Sequence, residues 1–142
     1  MIVAVNNSNK NLWADLCVAL WPEVTLDEMI QDWNEGNLPY EFLYFKNDEA
    51  IAFISLSLRH DYVEGTQSSP VAYLEGIYVK PEYRNQGIAT ILIDYAKEWT
   101  KANDCSELAS DVELHNTISA TFHKKLGFNE VNRLICYTMK VK

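Results

Sequence analysis

Two features of the chain have chemistry in them before any fold is assigned. The first is Arg84-Asn85-Gln86-Gly87-Ile88-Ala89, which follows the strand-like run Leu74-Glu75-Gly76-Ile77-Tyr78-Val79 and the turn formers Lys80-Pro81-Glu82-Tyr83, and which opens a long amphipathic segment. Gly87 and Ala89 carry little or no side chain, so a ligand can approach the backbone there. The first N–H groups of a helix have no acceptor within it, and together with the positive end of the helix dipole they favour a bound diphosphate. Neither Gly-Lys-Ser/Thr nor Gly-x-Gly-x-x-Gly is present, which argues against nucleotide and dinucleotide loops. The second feature is a carboxylate, Glu75, inside the strand. Strict alternation places it on the face of Tyr73 and Ile77, where an acid either pairs with a structural cation such as Arg59 or works in a site.

The elements that must position these groups read as an α/β order. Met1 to Val5 is a short strand, and Leu12, Leu16 and Leu20 recur at helical spacing up to Trp21-Pro22. Thr25-Leu26-Asp27-Glu28 fits a capping box for a second helix whose apolar side is Leu26, Met29, Ile30 and Trp33. Glu41 to Lys46 and Ala50 to Leu58 form a hairpin through Asn47-Asp48-Glu49, and the polar stretch Arg59 to Pro70 is a functional-length loop before the strand Val71 to Val79. From Ile88, the residues Ile91, Leu92, Tyr95, Ala96 and Trp99 share one helical face. Cys105 to Asp111 reads as a strand. Asn116 to Leu126 reads as a helix with Ile118, Phe122 and Leu126 inward, and Phe128 to Lys140 as a last strand or hairpin.

At 142 residues the chain has room for one sizeable core, so one domain over 1–142 is expected. A formal net charge of -8 argues against nucleic acid and for a cationic partner. No run is long enough to span a membrane and the N-terminus lacks a signal-peptide pattern, so a cytoplasmic location is expected. Cys17, Cys105 and Cys136 sit in apolar surroundings and read as buried thiols. His60-Asp61, His115 and His123 do not fall at metal-ligand spacings, so no metal is expected.

The loop Arg-x-x-Gly-x-Ala after Val79-Lys80-Pro81 resembles the acetyl-CoA loop of the GNAT acetyltransferase superfamily. A set of longer blocks is more specific. Ser57-Leu58-Arg59-His60-Asp61-Tyr62-Val63, Ser68-Ser69-Pro70-Val71, Leu74 to Val79, Glu107 to Asp111, Asn116-Thr117-Ile118-Ser119 and His123 to Phe128 are together similar to the aminoglycoside 6'-N-acetyltransferases of that superfamily, over nearly the whole chain. The resemblance implies a GNAT fold, with a mixed, mostly antiparallel sheet flanked by helices. It also implies acetyl-CoA as co-substrate and a cationic aminoglycoside as acceptor.

By the same resemblance, Ile77, Tyr78 and Val79 offer main-chain groups to the pantetheine arm. Arg84, Asn85, Gln86, Gly87, Ile88 and Ala89 bind the pyrophosphate, and Asn116 holds the reactive end of the cofactor. Trp21, Tyr62, Glu75 and Asp111 line the acceptor site, with Asn132 standing where relatives tend to carry an acid. Without the family pattern, Asp111 could equally cap the turn before Asn116, and Trp21 and Tyr62 could be core aromatics. Glu75 is the candidate base. Many members place a Tyr where His123 stands, so His123 is either a proton donor or a packed helix residue. A homodimer is expected, with the segment from Phe128 as the candidate for shared strand pairing. Two other functions fit the same residues: acetylation of a polyamine or protein amine, and non-catalytic binding of an acyl-CoA.

Overall fold

A computed structural model describes all of residues 1–142. Five strands form one sheet in the order β1-β2-β3-β4-β5, where β1 is Ile2–Ala4, β2 Tyr40–Lys46, β3 Glu49–Arg59, β4 Val71–Val79 and β5 Leu108–Ala109. The first four are antiparallel neighbours and β5 joins β4 in parallel, so the sheet is mixed and mostly antiparallel, as expected. The β2–β3 turn is tight because Asn47 and Asp48 both take the left-handed conformation, with φ of 49° and 66°. These side chains tolerate that region and match the twist a two-residue hairpin needs.

Four helices flank the sheet: α1 Lys10–Leu20, α2 Leu26–Asn34, α3 Ile88–Ala102 and α4 Thr117–Lys125. The capping box of α2 is present in full, with Thr25 accepting from the Glu28 amide and Glu28 accepting from the Thr25 amide. Alternation along β3 and β4 feeds two cores. Trp13, Leu16, Cys17, Met29, Leu43 and Phe53 pack under α1 and α2, while Ile54, Leu56, Leu74, Val79, Ile88 and Leu92 pack under α3.

The C-terminal third departs from the sequence expectation. The fifth strand is two residues long rather than Cys105 to Asp111, and Phe128 to Lys140 forms no strand or hairpin within this chain. Ile118 is 85% exposed rather than inward, Leu26 is exposed at the start of α2, and Cys136 is an exposed thiol while Cys17 and Cys105 are buried. Leu126 and Phe128 at the end of α4 reach the core under α3, whereas Ile118 and most of the tail have no layer of this chain to pack against.

Candidate active site

The sheet makes the site by an irregularity in β4. Pairing with β3 runs Ile54↔Ile77 and Ser55↔Gly76, then resumes at Leu56↔Leu74, so Glu75 is an extra residue without a partner. A bulge of this kind turns two successive side chains to one face and re-aims them. Gly76 faces Trp21 of the α1 side, and Glu75 faces Ser57, which shares that side with Ser55 and Phe53. Ile77 packs into the core under α3. Period-two reading therefore placed Glu75 correctly with Tyr73 and wrongly with Ile77, because a bulge belongs to the pairing of two strands.

Glu75 is held by a fixed donor set. Ser57 Oγ donates to Oε2 at 2.6 Å, and Arg59 donates from Nε to Oε2 at 3.3 Å and from its terminal nitrogen to Oε1 at 3.0 Å and to Oε2 at 2.9 Å. The pair is partly open to solvent, with side-chain exposures of 42% for Arg59 and 34% for Glu75. An ion pair so exposed stabilises the fold by only about 0–1 kcal/mol, so its value lies in orientation. The guanidinium also lies 3.4 Å from the centroid of the Tyr73 ring, and the Tyr73 hydroxyl donates to Asp111. Burial, reinforced by that carboxylate, pushes the Tyr73 phenol up from its ordinary range. Glu75 and Asp111 are thus joined through Arg59 and Tyr73 into one cluster. Asp111 does not cap the turn before Asn116.

Trp21 lies directly on the bulge: a Cβ at Gly76 would come within 2.5 Å of the indole. Its ring also meets Phe53 edge-on at 5.8 Å between centroids. It is therefore both a packing residue and a wall beside Glu75. Tyr62 is 75% exposed on the loop after β3, which excludes a core role. Asn132 donates to Glu64 on the same loop, and Val131 packs on Gly65. The tail thereby crosses the loop that carries Tyr62 and sets Asn132 against the carboxylate of Glu64.

The loop read as an anion cradle keeps its backbone open. Gly87 has φ of +81°, Asn85 has φ of 62°, and a Cβ at Gly87 would meet nothing within 4 Å, so the backbone faces open space. The amides of Asn85, Gln86 and Gly87 donate to no acceptor in the chain. The first amides of α3, from Ile88 and Ala89, have none by helix geometry. Arg84 Nε donates to the Val79 carbonyl at 2.8 Å, fixing the guanidinium at the end of β4. Lys80 and Tyr83 bind the carboxylate of Glu49, at 2.9 and 2.8 Å, which ties the turn before the cradle to the β2–β3 hairpin and holds Glu49 below the usual carboxylate range. Next to the cradle, β4–β5 pairing ends at Tyr73↔Ala109, so the β4 edge that carries Ile77, Tyr78 and Val79 has no neighbouring strand. These groups suit a phosphorylated tail running along a strand edge.

Across that gap, Asn116 caps α4 by accepting from the Ser119 amide at 3.1 Å, and its side-chain nitrogen makes no protein hydrogen bond. His123 is a bonded residue rather than mere packing. Its Nδ1 lies 2.8 Å from the Ser119 carbonyl and its Nε2 lies 2.8 Å from Ser110 Oγ. Ser57, Tyr73 and Ser110 were not singled out from the sequence. Their partners are 18, 38 and 13 residues away, so no local spacing marks them.

Residues 6–128 match the profile of the GNAT acetyltransferase family. The chain belongs to that family, and it is an acetyl-CoA-dependent acetyltransferase. An aminoglycoside N(6')-acetyltransferase type 1 from Acinetobacter baumannii is 41% identical over 99% of this chain and 98% of its own length. One from Salmonella typhimurium is 39% identical over 94% of both. The crystal structure of the 6'-N-acetyltransferase AAC(6')-IG from Acinetobacter haemolyticus, solved apo, superimposes with a TM-score of 0.93 at 35% identity, over 100% of this chain and 99% of that one. AAC(6')-Iy in complex with the bisubstrate analogue CoA-S-monomethyl-acetylneamine gives 0.90 at 38% identity, over 99% and 97%.

Proposed function

We propose that this acetyltransferase moves the acetyl group of acetyl-CoA to the 6'-amino group of an aminoglycoside, and so confers resistance. The observation that carries the reading is the bulge, which aims Glu75 beside Trp21 at the end of an unpaired strand edge that leads to the anion cradle. The relatives named for this reaction, similar over the full length, support the acceptor.

The cradle amides and Arg84 hold the pyrophosphate, and the main chain of Ile77, Tyr78 and Val79 guides the pantetheine arm towards Glu75, with Asn116 at its reactive end. Glu75 and Asp111 hold ammonium groups of the drug through charge-assisted hydrogen bonds. Trp21, Tyr62 and the Asn132–Glu64 pair border the sugar. An ammonium cannot attack a carbonyl, so Glu75 accepts its proton, directly or through one water. Such base catalysis is worth about a hundredfold or more. A strand N–H near Ile77 meets the oxygen charge that develops on the carbonyl.

The working unit in this reading is a cytoplasmic homodimer of single-domain chains. Ile135, Tyr137, Met139 and Val141 alternate in the tail, as on one face of a strand, and all are exposed. A second copy is the partner that such an edge fits. The test is thiol release from acetyl-CoA with kanamycin or tobramycin, with a polyamine compared by kcat/KM. Turnover with the drugs, reduced about a hundredfold by Glu75→Gln, is expected. Acetyl-CoA binding without thiol release would overturn the reading.

A further inference from the structure

The Ser110 hydroxyl stands where β5 leaves β4, one residue past the last strand pair, with its oxygen 2.8 Å from His123 Nε2 and 3.3 Å from the Leu74 carbonyl. A hydroxyl has one proton to give. The Leu74 carbonyl can only accept. On the other side of the ring, Nδ1 lies 2.8 Å from the Ser119 carbonyl, which can only accept, and 3.5 Å from Ser119 Oγ, and the shorter contact assigns the proton to Nδ1. Two arrangements follow, one proton apart. With neutral His123, Ser110 donates to Nε2. With the imidazolium, Nε2–H donates to Ser110, and Ser110 turns to donate to Leu74. His123 and Ser110 stay bonded in both, which is the property of a relay.

We propose that Ser110 and His123 form a two-step proton relay to the sulfur of coenzyme A, with Ser110 the catalytic donor and His123 acting through it. This rests on the acetyl-transfer reading above. Leu74, whose carbonyl Ser110 touches, is followed directly by Glu75, so the hydroxyl and the proposed base flank one point of β4. When the carbon–sulfur bond breaks, its electron pair leaves on sulfur. Sulfur takes the Ser110 proton, Ser110 takes the Nε2 proton, and His123 becomes neutral. The two protons the acceptor ammonium loses leave through Glu75 to solvent, and one returns from solvent to His123. One proton is released per turnover.

The charged groups on the packed elements are Lys124 and Lys125 on α4 and, on the strand side, Asp111 next to Ser110 and Glu75 next to Leu74. Phe122 and Phe128 lie against the imidazole, with centroids 6.4 and 5.3 Å away.

The experiment is the pH profile of kcat for Ser110→Ala, His123→Gln, the double variant and Ser110→Thr, with acetyl-CoA binding measured by calorimetry. Each single loss lowers kcat about tenfold to a hundredfold. The double variant is no worse than either single one, because the groups act as a unit. The pH profile of kcat flattens on its alkaline side in Ser110→Ala, and Ser110→Thr restores both rate and profile. Acetyl-CoA affinity is unchanged throughout. Ser110→Ala within twofold of wild type, or additive losses with an unaltered pH profile, would overturn the relay alone. A wild-type protein that binds acetyl-CoA and releases no thiol with any amine would overturn the acetyl-transfer reading and the relay with it.

Discussion

Every buried residue lies at or before Cys105, and none after it. Yet the two regions share the site. The first supplies the cradle, the β4 bulge and Trp21, which rest on the two cores, and Tyr62 on the exposed loop after β3. The second supplies Ser110, Asp111, Asn116, His123 and Asn132 from a two-stranded contact, one helix and a tail. The difference teaches where each half of the reaction is anchored. On the proposed assignment, the cradle for the co-substrate and the Glu75 bulge stand on cores the chain builds for itself, whereas Asn116, Asp111, Ser110, His123 and Asn132 depend on surfaces the chain leaves open. Burying one large apolar side chain contributes about 1.5–3 kcal/mol, so covering Ile135, Tyr137, Met139 and Val141 with a second copy would anchor that side strongly.

The sharpest way to break this comparison is to remove residues 129–142. The expected product is a monomer by light scattering that still binds acetyl-CoA. Its kcat/KM for an aminoglycoside falls at least about a hundredfold, the scale of loss when reacting groups move by about 1 Å. Retained activity would show that the second region stands alone.

A second prediction concerns the weak point within the well-packed region. Glu41 is 3% exposed and accepts from Trp13 Nε1 at 3.0 Å and from Ser55 Oγ at 2.6 Å. Burial pushes its carboxyl up to about 8 from an ordinary 4.5. The folded protein therefore keeps a proton there that the unfolded chain has lost above pH 4.5. The stability from this group is whole below pH 4.5, declines between 4.5 and 8, and is gone above that. Glu41→Gln removes the slope. Its melting temperature relative to wild type rises from pH 5 to pH 9, by the equivalent of on the order of 2–4 kcal/mol. Parallel curves would show that the carboxyl ionises without cost.

The smallest effect is expected at the seam between the regions. Gly76→Ala drives a methyl group into Trp21, an overpacking that costs about 1–3 kcal/mol. KM for the aminoglycoside rises while calorimetric affinity for acetyl-CoA stays unchanged. A matching loss of cofactor affinity would mean that the seam is not where the two halves divide.

The same division explains what the sequence could tell. The hairpin turn at Asn47-Asp48 and the capping box at Thr25 and Glu28 were legible, because each rests on residues within one or two turns of chain; the face of α3 was legible at Ile88, Leu92 and Ala96, but Ile91 is exposed and Ile93 is buried in its place. The bulge was not, since Leu74 to Val79 alternates regularly and the extra residue appears only in register with β3. Arg59 could be named as a partner for Glu75, but its stacking on Tyr73 could not. The tail reads as a strand by its own alternation. It is not one in this chain, because no strand of the same chain lies beside it.

The indole of Trp21 has one further consequence. It sits on the bulge next to Glu75, whereas Trp13 is sealed under α1 and Trp33 and Trp99 pack on α2 and α3. In the proposed reaction, an acceptor docking beside Glu75 changes the surroundings of this fluorophore while leaving the other three in place. The enzyme thus carries an intrinsic optical probe, and its emission can time acceptor docking separately from thiol release.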